Sequence, residues 1–107
     1  MSELEDVASI KQKLRQYELK DLEFNEPHFS QQLLLREGNK TMVIRHLLDP
    51  VCLVSVRKEL GKYSDNKFAL HFSVSSSLTM IIPVSFDKSA KKSLYILTYI
   101  MRYRRTP

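Results

Sequence analysis

The chain has 107 residues and a mass of 12.6 kDa, which is the size of a single domain. Its 43% hydrophobic and 27% charged residues exclude a disordered or fibrous chain, and no apolar run approaches the roughly 20 residues of a membrane span. The net charge of +5 favours a polyanionic partner. The acidic N-terminus lacks the features of a signal peptide, and the single cysteine, Cys52, cannot close an intramolecular disulfide. We therefore expect one cytoplasmic domain over residues 1–107, with no membrane association.

The first predicted element is an amphipathic helix over residues 3–17. Ser2 and Glu5 have the spacing of a capping box, and apolar residues follow at helical intervals with charges between them. Residues 22–24 alternate between apolar and acidic side chains, which is typical of a short half-buried strand.

Two further helices are predicted before the chain becomes strand-like. Asn25 is suited to cap the second helix, and Gly38 is suited to end it. Asn39 or Thr41 caps the third helix. Pro50 stops that helix, because proline disfavours helical geometry in the residue before it.

After Pro50 the sequence alternates with a period of two, which predicts strands at 51–57, 67–74, 78–86 and 93–103. Short connections favour consecutive hairpins, and Pro83 marks an edge position or a bulge because it lacks an amide donor. We predict an α+β fold in which the helices pack on one face of an antiparallel sheet. The sheet has four strands, or five if residues 22–24 join it, and its other face stays open to solvent or a ligand.

The last predicted strand carries a basic and aromatic pattern. Residues 88–107 hold six bases and no acid. Strict alternation places one set of residues on one side, Leu94, Ile96, Thr98, Ile100, Arg102 and Arg104. The other side then carries Tyr95, Leu97, Tyr99, Met101, Tyr103 and Arg105. Tyrosines beside arginines suit RNA or single-stranded nucleic acid. The alternative is that Tyr95 and Tyr99 are ordinary strand residues with buried rings and exposed hydroxyls.

Among the three histidines, His71 is the best candidate for proton transfer. It alternates with the apolar residues of its strand and is expected on the open face, where an imidazole can exchange protons near neutral pH. His28 and His46 lie on predicted helices, where a structural role is more common. The three are too scattered to predict a metal site. Cys52 is expected to pack as a small apolar residue.

The segment from His28 to Pro50 has the pattern His-x7-Arg-x2-Asn-x3-Val-x3-Leu-x2-Pro. The pattern resembles the helix pair of small toxins of the RelE superfamily, especially the BrnT-like branch and related uncharacterised archaeal and bacterial domains. The likeness covers residues 20–104 and ends at a Leu-Thr-Tyr-Ile run at 97–100, which leaves the helix within residues 1–18 as an N-terminal addition. The chain departs from the pattern where Glu37 separates Arg36 from Gly38.

The resemblance implies a toxin of a toxin–antitoxin system that cleaves mRNA and inhibits translation without a metal or other cofactor. Its implied partners are RNA or ribosome-bound mRNA and an antitoxin protein. The implied catalytic residues are His71 or Tyr99 for proton transfer and Arg102 for the scissile phosphate. Further nucleic-acid contacts fall on Arg57, Lys67, Tyr103, Arg104 and Arg105. His28 and Arg36 match the family pattern, and a structural role at their helix positions is the alternative.

Two other functions are consistent with the same residues. A non-catalytic nucleic-acid-binding domain predicts salt-sensitive RNA binding without cleavage. A protein-interaction module predicts a tight complex with a partner such as an antitoxin helix, at the open face or an edge strand. The first helix is expected either to pack on its own sheet or to mediate a homodimer.

Overall fold

A computed structural model describes residues 3–4, 6–59, 67–86 and 92–103. The helices in these segments are α1 (Val7–Leu14), α2 (His28–Leu35) and α3 (Lys40–Leu48), with a 3-10 turn at Leu19–Asp21. The strands are β1 (Glu3–Leu4), β2 (Leu22–Phe24), β3 (Leu53–Glu59), β4 (Lys67–Ser73), β5 (Leu78–Phe86), β6 (Leu94–Ile96) and β7 (Ile100–Tyr103). The predicted capping box of Ser2 and Glu5, the connections at 60–66 and 87–91, and Arg104 and Arg105 lie outside the described residues.

The sheet confirms the α+β class but corrects its predicted topology. Six strands follow the order β1-β3-β4-β5-β6-β2, and β7 pairs with β5 beside β6. The pairs from β3 to β5 are antiparallel, as predicted, and so are the pairs that β6 and β7 make with β5. The pair between β2 and β6 is parallel. The prediction of a wholly antiparallel sheet of four or five strands is wrong here, because β2 and β6 are joined through two helices and three strands and no hairpin constrains their direction.

The first helix is shorter than predicted. It covers Val7–Leu14 and not residues 3–17, because Glu3–Leu4 extends as a strand beside β3. Asp6 caps the helix, since its carboxylate accepts a hydrogen bond from the amide of Ala8 at 3.1 Å. Ile10 and Leu14 are buried, which confirms the amphipathic pattern.

The ends of α3 lie close to their predicted positions. The side chain of Asn39 accepts a hydrogen bond from the amide of Met42 at 3.2 Å, which confirms Asn39 as the cap. Helix α3 ends at Leu48, two residues before Pro50. Helix α2 begins at His28 without a side-chain cap, so the predicted capping role of Asn25 is wrong.

One layer of helices covers one face of the sheet. Buried side chains of α1, α2 and α3 pack with the inward residues of the strands, and several of these are fully buried: Phe29, Val43, Leu47, Leu70, Phe72, Met80, Ile82 and Val84. None of the described helices has the length and apolar character needed to cross a bilayer.

The predicted last strand, residues 93–103, is broken into β6 and β7. Leu94 and Ile96 face the helices, and so does Tyr99, which is three residues beyond Ile96. In a regular strand, two residues an odd number apart lie on opposite faces. Because Ile96 and Tyr99 share one face, the irregular residues 97–99 must reverse the face that each later side chain occupies. The predicted grouping of Arg102 with Leu94 and Ile96 is therefore wrong.

Pro83 lies opposite this break. It belongs to β5, which is an interior strand, and its carbonyl accepts a hydrogen bond from the amide of Leu97 at 2.9 Å. The amide and the carbonyl of a strand residue point to the same side of the strand. The amide hydrogen that Pro83 lacks would therefore point toward residues 97–99, where the hydrogen-bond ladder between β5 and the last strands is interrupted. The predicted edge position is therefore wrong, and the irregularity lies in residues 97–99 opposite Pro83, whose own pairing with β4 continues without a shift.

Candidate functional site

A cleft of about 320 Å³ lies on the sheet face that the helices leave uncovered. Strands β3, β4, β5 and β7 all contribute to its lining, which consists of Arg57, Ala69, His71, Ile81, Pro83, Ile100 and Arg102. We call this face, defined by these seven residues, the open face. His71 alternates with Leu70 and Phe72, which are fully buried on the helix side. The predicted position of His71 on the open face is therefore confirmed.

Strand register places His71 between the two arginines. His71 pairs with Ser55 on β3 and with Ile81 on β5, and Ile81 pairs in turn with Ile100. Arg57 and Arg102 are each two residues from this row, in opposite directions along the strands. Two residues span about 7 Å and neighbouring strands lie about 4.8 Å apart, so Arg57, one strand from His71, has its backbone about 8.5 Å away. Arg102 is two strands from His71, with its backbone about 12 Å away, and its side chain lines the same cleft.

The cleft combines positive charge with an apolar floor. Arg57 and Arg102 are exposed, His71 is half-buried, and Ala69 and Ile81 are each 6% exposed. No carboxylate occurs among the described residues that line it. Guanidinium groups bind phosphate oxygens through several parallel hydrogen bonds, and an imidazole can accept or donate a proton. The arrangement suits a phosphate ester that carries an organic group.

Tyr99 does not belong to this cleft. Its side chain is 1% exposed and packs on the helix side, where its ring lies next to Gly38. Burial raises the pKa of the Tyr99 hydroxyl, and the nearby positive charge of Arg36 opposes that shift. The structure does not bring Tyr99 together with His71 and Arg102, because the break at 97–99 turns Tyr99 toward the helices and Arg102 toward the cleft. The alternative of an ordinary strand tyrosine is correct about the buried ring. Its exposed hydroxyl is wrong for Tyr99, because the whole side chain is buried, and Tyr99 lies between the two strands β6 and β7.

The two residues that match the family pattern lie on the helix layer. His28 is the exposed first residue of α2, and Arg36 follows the last residue of that helix. The Nε of Arg36 donates a hydrogen bond to the side chain of Gln32 at 3.3 Å. The sheet separates both residues from the cleft, so the structure does not bring them together with His71.

The other predicted nucleic-acid contacts are only partly placed. Lys67 lies on the same face of β4 as His71, four residues away and outside the cleft lining. Tyr103 is the last residue of β7, and its side chain lies outside the described part of the structure. Arg104 and Arg105 also lie outside it.

His46 and Cys52 line a separate, smaller cleft of about 130 Å³ beside the C-terminal end of α3. The Nδ1 of His46 is 2.8 Å from the carbonyl oxygen of Met42, and its ring meets that of Phe72 edge-on at 5.6 Å. These contacts give His46 a structural role at the edge of the core. Within the described residues, no group of three or more His, Cys, Asp and Glu side chains could hold a metal ion.

The local sequence pattern does not indicate that the residues of the cleft floor belong to one site. Pro83, Ile81 and Ala69 form the cleft floor, yet each belongs to a strand whose neighbouring residues are core, and only the cross-strand register brings them together. Asn25 is suited by its sequence position to cap α2, but the structure gives it a different partner. Its side chain instead donates to the carbonyl of Leu97 at 3.3 Å, a partner 72 residues away that no local pattern indicates.

Comparison of the chain with the profiles of known protein families, with curated proteins and with solved structures finds no match.

Proposed function

We propose that the open-face cleft binds the phosphodiester backbone of RNA and that the chain is a metal-independent endoribonuclease that cleaves mRNA and inhibits translation. The observation that carries this proposal is the convergence of Arg57, His71 and Arg102, which come from three strands, on one cleft with no carboxylate among its described lining residues. The resemblance of residues 20–104 to RelE-like toxins supports the same activity. It also implies an antitoxin protein as a regulatory partner.

The proposed reaction needs groups of the RNA, groups of this cleft and water. The 2′-hydroxyl attacks the adjacent phosphorus, the bond from phosphorus to the 5′-oxygen breaks, and a 2′,3′-cyclic phosphate forms. His71 accepts the proton of the 2′-hydroxyl, and the departing 5′-oxygen takes a proton from water or from the imidazolium. Arg57 and Arg102 orient the phosphate and stabilise the negative charge that it gains in the transition state.

A second candidate, non-catalytic RNA binding, is favoured by one specific observation. His71 is the one imidazole among the described lining residues, and Tyr99, the predicted second proton-transfer group, lies on the other face of the sheet. Binding needs only the two guanidinium groups and the apolar floor. The same cleft then predicts RNA affinity without cleavage.

The decisive experiment is cell-free translation with the purified chain, with mRNA ends mapped by primer extension. The proposal predicts translation arrest with new mRNA ends, and loss of both effects in His71→Ala. The matched control is His28→Ala, which removes an exposed imidazole from the helix layer and leaves arrest unchanged.

Three other outcomes are informative. Intact mRNA together with salt-sensitive RNA binding would establish the non-catalytic function. Intact mRNA with no RNA affinity would reject both RNA functions and would favour the protein-interaction alternative. Cleavage that survives in His71→Ala but not in Arg102→Ala would remove the proton-transfer role of His71 and keep the cleft.

A further inference from the structure

The irregular residues 97–99 decide whether Arg102 reaches the cleft. If the alternation of β6 continued unchanged, Arg102 would share the helix-facing side of Ile96, and Tyr99 would face solvent. In the structure Arg102 lines the cleft and Tyr99 is buried. The faces that Arg102 and Tyr99 occupy thus depend on the contacts that keep residues 97–99 irregular.

Asn25 makes three contacts at the break. Its backbone amide donates to the carbonyl of Ile96 at 2.9 Å, and its side-chain Nδ2 donates to the carbonyl of Leu97 at 3.3 Å. Its Oδ1 accepts a hydrogen bond from the hydroxyl of Tyr95 at 3.0 Å. From the other side, the amide of Leu97 donates to the carbonyl of Pro83 at 2.9 Å. Both backbone groups of Leu97 are therefore engaged, one by β5 and the other by Asn25.

We propose that Asn25 is a positioning residue for the cleft: it holds the break at 97–99 and thereby keeps Arg102 on the open face. Asn25 lies directly after β2, whose parallel pairing with β6 sets it beside Ile96 and Leu97. An amide side chain suits this position, because it donates to one backbone carbonyl and accepts from one hydroxyl at the same time. The functional meaning of this role rests on the proposed RNA function, whereas the structural role does not.

A disulfide between β5 and β7 reports which face of the sheet residue 102 occupies, and the measurement needs no RNA. Thr79 and Arg102 lie directly opposite each other on β5 and β7, so their Cβ atoms are expected about 4.5–5.5 Å apart, near the range that a disulfide bridges. The test protein carries Thr79→Cys, Arg102→Cys and Cys52→Ser, and oxidised glutathione serves as the oxidant. Non-reducing electrophoresis and mass spectrometry follow the rate of bridge formation.

Adding Asn25→Ala to this protein is expected to slow bridge formation by about fivefold, the change that loss of one hydrogen bond produces in an equilibrium. The matched control is Asn39→Ala, which removes an asparagine hydrogen bond of similar length from the cap of α3, away from the break. A rate that is equal in Asn25→Ala and Asn39→Ala would overturn the proposal.

Binding of a 2′-O-methyl oligouridine, which cannot be cleaved, tests the functional consequence with Arg102 restored. Asn25→Ala is expected to make the RNA affinity less dependent on salt concentration, by about the amount that one phosphate contact contributes to the slope. Arg102→Ala is expected to have the same effect. The double variant should show no further loss, whereas fully additive losses would contradict action through Arg102. If the unaltered chain does not bind the oligonucleotide, the proposed RNA function fails and the disulfide rates still decide the role of Asn25.

Discussion

Gly38 lies directly against the aromatic ring of Tyr99. A Cβ atom built on Gly38 would approach Cε1 and Cζ of that ring to 2.9 Å and Cδ2 of Leu33 to 2.6 Å, distances that real side chains do not adopt. The amide of Gly38 also donates to the carbonyl of Leu33 at 2.7 Å, which fixes the backbone at this point. The connection between α2 and α3 therefore depends on glycine for its close approach to the last strand.

Gly38→Ala is expected to lower the free energy of unfolding by about 1–3 kcal/mol, because the added methyl group overpacks a contact with a buried ring. Urea unfolding measures the change. Gln31→Ala, at an exposed position of α2, is the control and should stay within about 0.5 kcal/mol of the unaltered chain. In a Tyr99→Leu background the cost of Gly38→Ala should shrink, and an undiminished cost would mean that the ring is not the obstacle.

Tyr99→Phe is expected to leave RNA binding and cleavage within about twofold of the unaltered chain, because the hydroxyl lies on the helix side of the sheet and not in the cleft. Primer extension and oligonucleotide binding measure both quantities. A loss as large as that of His71→Ala would return Tyr99 to the catalytic set.

The pH dependence of stability in the alkaline range also reports the burial of the Tyr99 hydroxyl. Because burial raises the folded-state pKa of Tyr99 above 10.0, its contribution to stability is fully present below pH 10.0 and is lost as the pH rises through the folded-state value. Above pH 10.0, the melting temperature of Tyr99→Phe should therefore fall less steeply with rising pH than that of the unaltered chain. Identical slopes would contradict the burial of this hydroxyl.

Glu26 is expected to contribute to stability above pH 4.5. Its carboxylate accepts hydrogen bonds from the hydroxyl and from the amide of Ser30, and these bonds lower its pKa from 4.5. The stabilisation is present above pH 4.5 and is lost as the pH falls through the lowered value. Glu26→Gln should thus melt at a lower temperature than the unaltered chain at pH 7. The difference in melting temperature should disappear as the pH falls below 4.5.

Two measurements check the role of Glu26. Thermal unfolding of Glu26→Gln is compared with that of Glu37→Gln, an exposed glutamate after the end of α2. An NMR titration of Ser30→Ala should show the pKa of Glu26 rising toward 4.5. A pKa that does not move in Ser30→Ala would sink this explanation.

Arg57→Ala and Arg102→Ala are each expected to weaken RNA binding and to reduce its dependence on salt by about one phosphate contact. Fluorescence anisotropy with a labelled 2′-O-methyl oligouridine at several salt concentrations gives both quantities. Arg45→Ala is the matched control, since it removes an exposed arginine from α3 outside the open face. Equal salt dependence in all three variants would place the RNA elsewhere.

The sequence by itself determined the features that depend on near neighbours. A cap at Asn39 or Thr41, the end of α3 before Pro50 and the alternation that sets His71 opposite Leu70 and Phe72 all follow from residues within four positions of each other. Backbone geometry, capping and strand periodicity act over that range, and for this reason the α+β class, the helix pair and the open face with His71 were predicted correctly.

Only the tertiary structure decided the parallel pairing of β2 with β6, the break at 97–99 and the burial of Tyr99. Each of them depends on contacts between distant residues, such as Asn25 with Leu97 and Gly38 with Tyr99. A strand that alternates without interruption is the simplest prediction for residues 93–103, and one irregular segment reverses the face of every later side chain. The candidate site therefore consists of the cleft of Arg57, His71 and Arg102 without Tyr99, because packing against β2 and the helices determines where the last strand bends.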